Sequence, residues 1–82
     1  SPKDLTHRAE LAVVNIRVGR NEEALKVLQD ALAIDSKYAE AYRLMGIAQL
    51  QMKKKQEACQ SFAKAKELGD PNVDGLIEKH CK

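Results

Sequence analysis

Apolar residues along this chain recur at three- and four-residue spacing and rarely alternate, which is the periodicity of helices packed on one face. The first run, Leu5, Ala9, Leu11, Ala12, Val14, Ile16 and Val18, stops at Gly19, a residue suited to ending a helix. Ser1, Pro2 and Asp4 supply its start: an N-cap, a proline at the first helical position and an acid in the first turn. Asn21 is expected to cap the second helix, with Glu22 and Glu23 at its positive end and Ala24, Leu25, Leu28, Ala31 and Leu32 as its apolar stripe. Ser36 is expected to cap a third, running through Tyr42, Met45, Ala48 and Met52 to a turn at Lys53, Lys54 and Lys55, whose charges would complement a helix C-terminus. A fourth carries Ala58, Cys59, Phe62 and Ala65 and ends at Gly69. Asp70 and Pro71 then read as the N-cap and first residue of a fifth, with Val73, Leu76 and Ile77 on one face and Asp74, Glu78, Lys79 and Lys82 elsewhere. The pattern predicts an all-α chain of five antiparallel helices of about 11–17 residues each, joined by short turns.

The pattern also copies itself. Laid 34 residues apart, Leu11, Ala12, Ala24, Leu28 and Ala31 meet Met45, Gly46, Ala58, Phe62 and Ala65. Weaker echoes pair Val13 with Ile47, Ile16 with Leu50, Glu23 with Glu57, and Ile34 with Leu68. A fixed period without strand-like alternation points to stacked helix-turn-helix units, in which a single-faced last helix shields the open end from water. Such units bind other molecules far more often than they catalyse reactions.

Composition narrows the picture only a little. The 82 residues make one domain, near the lower size at which a core alone sustains a fold. An apolar fraction of 44% with two prolines is that of a soluble globular chain. The formal charge of +2 arises from 14 basic and 12 acidic residues, largely interspersed, and gives no strong field for nucleic acid or an anionic membrane. No run approaches the ~20 apolar residues that spanning a bilayer requires, and no secretory signal is visible. The chain lacks an initiating Met, so that absence leaves the compartment open.

Candidate chemistry is sparse. There is no glycine-rich phosphate loop, no His-Glu-x-x-His, and no Ser or Cys near a base in sequence, so an enzyme is not expected. His7 and His80 are isolated, and the adjacent His80 and Cys81 point about 100° apart on a helix, poorly placed to share a metal. No metal or other cofactor is expected. Cys59 falls on a helix position expected to be buried, where it would act as a small hydrophobe, and Cys81 reads as an exposed thiol at a frayed end. The Lys53–Lys55 run, with Lys64 and Lys66 nearby, is the best argument for nucleic acid. Glu57 and Glu67 dilute its charge and no aromatic interleaves it, so it reads as a solvated turn.

These positions resemble the tetratricopeptide repeat, whose signature places a large residue, Leu-Gly three residues on, then Ala, an aromatic, another Ala and a closing Pro. Tyr42, Met45, Gly46, Ala58, Phe62, Ala65 and Pro71 carry it in the second unit, with Pro71 one place late. Leu11, Ala12, Ala24, Leu28 and Ala31 carry it in the first, where Arg8 and Ser36 depart from it. Both units place an amide, Asn15 or Gln49, where an aromatic is common. The resemblance implies an α-α superhelix: repeat one at residues 5–38, repeat two at 39–72, and a capping helix at 71–82. Small residues at Ala12, Gly46, Ala24 and Ala58 would stand where helices cross closely.

In that family the first helix of each pair lines a concave groove. Transferred by register, the groove is Thr6, Ala9, Glu10, Val13 and Arg17 in unit one and Glu40, Arg43, Leu44, Ile47 and Gln51 in unit two, with Ile16 and Leu50 at its edge. The resemblance thus implies an apolar floor, with Arg17 and Arg43 available for a carboxylate or carbonyl. Ala9, Val13 and Leu44 stand where a clamp for C-terminal carboxylates would need Lys and Asn, which argues against that ligand. The floor either receives a peptide or partner helix, or packs against a neighbouring repeat, a partner subunit or a second copy. Two repeats are fewer than such stacks generally need, so the chain is expected to be part of a longer array or to self-associate. The leading expectation is a protein-interaction module, scaffold or adaptor. Its alternatives are an accessory or regulatory segment of a larger protein whose activity lies in another domain, and weak nucleic-acid binding through the lysine turn.

Overall fold

A computed structural model describes residues 2–82, with side chains from residue 4 onward; the cap expected at Ser1 lies outside the described residues. They form five helices: α1 (Pro2–Arg17), α2 (Asn21–Ile34), α3 (Ala39–Gln51), α4 (Lys55–Glu67) and α5 (Asp74–His80). The first four are 13–16 residues long, but α5 has only 7, shorter than its apolar pattern suggested. Each helix packs against the next in sequence, and α1 also touches α3.

One core cluster joins Ala9, Ala12 and Ile16 of α1 to Ala24 and Leu28 of α2 and to Ala41, Leu44 and Ala48 of α3. A second joins Ala58, Phe62 and Ala65 of α4 to Val73, with Leu76 and Ile77 of α5 and Tyr42, Ile47 and Leu50 of α3 packed against it. The crossings are built from small residues, as the repeat predicted: Ala12, Ala24 and Ala58 are fully buried. At Gly46 an added Cβ would clash with the Phe62 ring, so glycine lets α3 approach α4 this closely.

Three helices end in the same way. Gly19 N–H donates to the Ile16 carbonyl (3.1 Å) and Arg20 N–H to that of Asn15 (2.7 Å). Lys53 and Lys54 repeat the pair onto Leu50 and Gln49, and Gly69 and Asp70 onto Lys66 and Ala65. This closure needs a left-handed residue, and the φ values are +84° at Gly19, +65° at Lys53 and +91° at Gly69. Lys53 is the 34-residue counterpart of Gly19 and meets the same demand with a side chain attached.

Helix starts differ from expectation. Asn21 is the first helical residue of α2, behind the N-cap Arg20, and its Oδ1 is buried without a hydrogen-bond partner. Ser36 lies in the turn before α3, whose N-cap is Tyr38. Lys54 is the N-cap of α4 and Lys55 its first residue, so only Lys53 follows the end of α3, and the triplet does not complement one helix C-terminus. Asp70 and Pro71 belong to a turn, and α5 begins at Asp74 behind Val73. None of the caps at Arg20, Tyr38, Lys54 or Val73 makes a side-chain capping bond.

The cysteines also differ. Cys59 is half-buried rather than buried, and it is joined to Cys81 in a disulfide with Cα atoms 5.7 Å apart. Cys81 is therefore not a loose thiol. The bond crosses a span of 22 residues and ties the end of α5 to the outer side of α4. Loops of this size gain about 3 kcal/mol from such a link, which secures a helix too short to hold itself.

Candidate partner-binding face

The twelve residues assigned to a groove by register lie on α1 and α3, and the packing sorts them into three groups. Ala9, Ile16 and Leu44 are 3%, 7% and 4% exposed and lie in the first core cluster. They cannot form a floor that a ligand touches, because the packing of α1, α2 and α3 buries them. Val13, Ile47, Leu50, Glu40 and Arg43 are half-buried. Thr6, Glu10, Arg17 and Gln51 are exposed. Of the expected apolar floor, Val13, Ile47 and Leu50 remain in reach of solvent: Val13 and Ile47 lie against the first cluster, Ile47 and Leu50 against the second.

Arg43 is not available to a ligand as expected. Its Nε donates to Asp70 Oδ2 at 3.0 Å, where the Asp70 side chain is only 2% exposed, and another guanidinium nitrogen lies 3.6 Å from Glu40. Asp70 also accepts the Asn72 backbone N–H at 2.7 Å, which forms the turn into α5. A carboxylate this deep needs its cation, so Arg43 serves to pin α3 to the α4–α5 turn. Arg17 is the remaining exposed arginine among the assigned residues.

At the far end of α3, the Tyr38 hydroxyl donates to Glu40 Oε1 (3.2 Å) and approaches the Leu5 carbonyl of α1 (3.5 Å). Burial first, then the Glu40 charge and its hydrogen bond, push the Tyr38 phenol up to about 12 from 10.0.

Several features escaped the sequence. Gln49, taken only as a departure from an aromatic, holds α3 to α4. Oriented with nitrogen toward the neighbouring oxygens, its amide donates to Ser61 Oγ (2.7 Å) and to the carbonyls of Glu57 (3.2 Å) and Met45 (3.3 Å). A shallow depression of about 640 Å³ lies beside the disulfide, lined by Lys55, Gln56, Cys59, Gln60, Ala63, Cys81 and Lys82. It is apart from the groove positions, and its signal was a pairing of cysteines that spacing alone does not reveal. Among the described residues no three His, Cys, Asp or Glu side chains gather as a metal site, and no helix is long and apolar enough to cross a membrane.

With this geometry in view, residues 17–53 match a family model described as TPR repeat. The window runs from the last residue of α1 through α2 and α3 to the left-handed residue Lys53. The chain therefore carries a TPR repeat within an all-α, five-helix fold, and such repeats imply an α-α superhelix. TPR repeats are generally protein–protein interaction modules and are typically non-catalytic. Comparison with curated proteins and with solved structures gives no significant match.

Proposed function

We propose that this chain is a protein-interaction scaffold or adaptor whose first helices, α1 and α3, receive a peptide or partner helix. The observation that carries this reading is the contrast on their inner faces. Val13, Ile47 and Leu50 stay half-exposed where their neighbours Ala9, Ile16 and Leu44 are sealed. Around them stand Thr6, Glu10, Arg17 and Gln51, which are exposed and form a polar margin with one negative and one positive charge. A small apolar strip with a polar margin suits an extended peptide or one helix face better than a small molecule.

Affinity capture from source lysate tests it with Val13→Glu and Ile47→Glu beside the unmodified chain. Because both residues also touch the core, Thr6→Arg and Gln51→Arg provide variants at exposed positions outside it. The expected result is loss of the same captured protein in all four, with helical circular dichroism retained in the last two. Capture unaffected by Thr6→Arg and Gln51→Arg would place the partner on another surface.

A further inference from the structure

Little besides one covalent bond holds the end of the chain. Among the helices α5 packs on α4 alone, and none of its seven residues is buried; Leu76 and Ile77, which meet the second cluster, stay half-exposed. Its ion pair to α4, Lys66 Nζ with Asp74 at 3.1 Å, joins side chains 63% and 70% exposed, where such pairs contribute little. A helix of this length does not persist unaided. The turn before it is better fixed: Val73 is 0% exposed, and Asp70, paired with Arg43, accepts the Asn72 N–H. The segment that depends on the Cys59–Cys81 bond is therefore 74–82.

That bond also lies open to solutes. Both cysteines are half-exposed and line the depression with Lys55, Gln56, Gln60, Ala63 and Lys82; no carboxylate joins them. Lys82 is paired with Glu78 at 2.7 Å, and Lys55 has no ion pair among the described residues. A thiolate attacks a disulfide as an anion and expels an anion, so an ammonium at this spot favours both. We propose that Cys59–Cys81 is a redox modification site: a dithiol reductant opens it through the depression and frees residues 74–82 from α4 while the rest of the fold stands. One thiolate of the dithiol attacks a cysteine sulfur, forming a mixed disulfide and expelling the other cysteine as a thiolate. The second thiol of the reductant then closes its own disulfide and expels the remaining cysteine. Two electrons pass to the chain, and the two protons the dithiol loses go to the two expelled thiolates. Opening uncovers the side of the second cluster against which Leu76 and Ile77 pack, whereas Ala9, Ala12, Leu28 and Leu44 keep their own cluster. A hydrogen bond from the freed Cys59 thiol to the His80 carbonyl, 3.8 Å away in the closed form, is a weak replacement.

The test treats the protein as its source expresses it, and the 82-residue chain beside it, with millimolar dithiothreitol at neutral pH after air oxidation. Alkylation with mass spectrometry counts free thiols, and amide hydrogen exchange follows the helices. Reduction is expected without denaturant. Protection at Ile77 and Cys81, whose amides donate to Val73 and Ile77, should then fall at least about tenfold while α1–α3 keep theirs. Cys59→Ser combined with Cys81→Ser should show the released pattern at once and ignore the reagent. Lys55→Glu should slow reduction several-fold and leave the oxidised pattern unchanged. The proposal is overturned by thiols that stay free after air oxidation, or by a bond that resists the reagent in either form until the chain unfolds. It is overturned equally by α5 amides that stay protected after reduction, by protection lost through α1–α3 as well, or by a reduction rate that Lys55→Glu leaves unchanged.

Discussion

The α1–α2 and α3–α4 hairpins solve the same packing problem with different parts. Where their helices cross, the first pairs Ala12 with Leu28, and the second pairs Gly46 with Phe62; all four are buried. The volume removed from one side is returned on the other. Asn15 and Val27 in the first hairpin correspond to Gln49 and Ser61 in the second, where two polar groups satisfy each other between helices. Ala9 and Ser36 correspond to Arg43 and Asp70, a buried ion pair that exists only in the second unit. The period is kept by exchanging residues in pairs. A single substitution should therefore cost far more than its double.

The largest test is the ion pair. Arg43→Ala leaves the 2%-exposed Asp70 carboxylate without its cation and should destabilise the fold by about 3–4 kcal/mol in denaturant unfolding. Installing the first unit's residues together, Arg43→Ala with Asp70→Ser, removes both charges and should cost clearly less than either change alone. Equal or greater loss in the double would show that the pair is not a self-contained exchange.

Next comes the crossing itself. Gly46→Ala drives a methyl group into the Phe62 ring and should cost about 1–3 kcal/mol, whereas Ala12→Gly, its mirror in the first hairpin, opens space instead and adds no clash.

A smaller effect, of opposite sign, is expected at the turn. Lys53 holds a left-handed conformation that Gly19 adopts freely, so Lys53→Gly should stabilise by about 0.5–1 kcal/mol, and Gly19→Lys should cost a similar amount. Thermal unfolding of both variants checks the equivalence of the two turns.

The subtlest sits between the hairpins, at Tyr38. Its native proton is held up to about 12 while the unfolded phenol releases it near 10.0. The native state then binds more protons, so stability is intact below pH 10 and falls as pH climbs from 10 toward 12. Tyr38→Phe should flatten that decline.

What the sequence made legible was the packing written directly in its residues. Small residues at Ala12, Ala24, Gly46 and Ala58, large ones at Leu28 and Phe62, and turns at Gly19 and Gly69 need only a period to be found. Helix starts were harder. Asn21, Ser36 and Asp70 carry capping side chains, yet the helices begin at positions set by packing, behind caps with no side-chain bond. Asp70 is drawn away from capping by Arg43, a contact across 27 residues that local chemistry cannot signal. The disulfide was hidden for a related reason: Cys81 meets Cys59 across 22 residues, through a turn and α5, which local spacing does not signal. Register assigned the groove to positions on α1 and α3 but could not tell which of those side chains packing would bury, and Ala9, Ile16 and Leu44 proved to be core.

Unfolding free energies of Gly46→Ala, Phe62→Leu and the two combined bear most directly on the idea that the hairpins are one design with matched exchanges. Together the substitutions install the Ala–Leu pair of the first hairpin in the second. The double variant should recover at least about 1 kcal/mol relative to the sum of the singles, well beyond the ~0.3–0.5 kcal/mol within which independent sites add. Strict additivity, or a double variant less stable than that sum, would mean the two crossings are not equivalent.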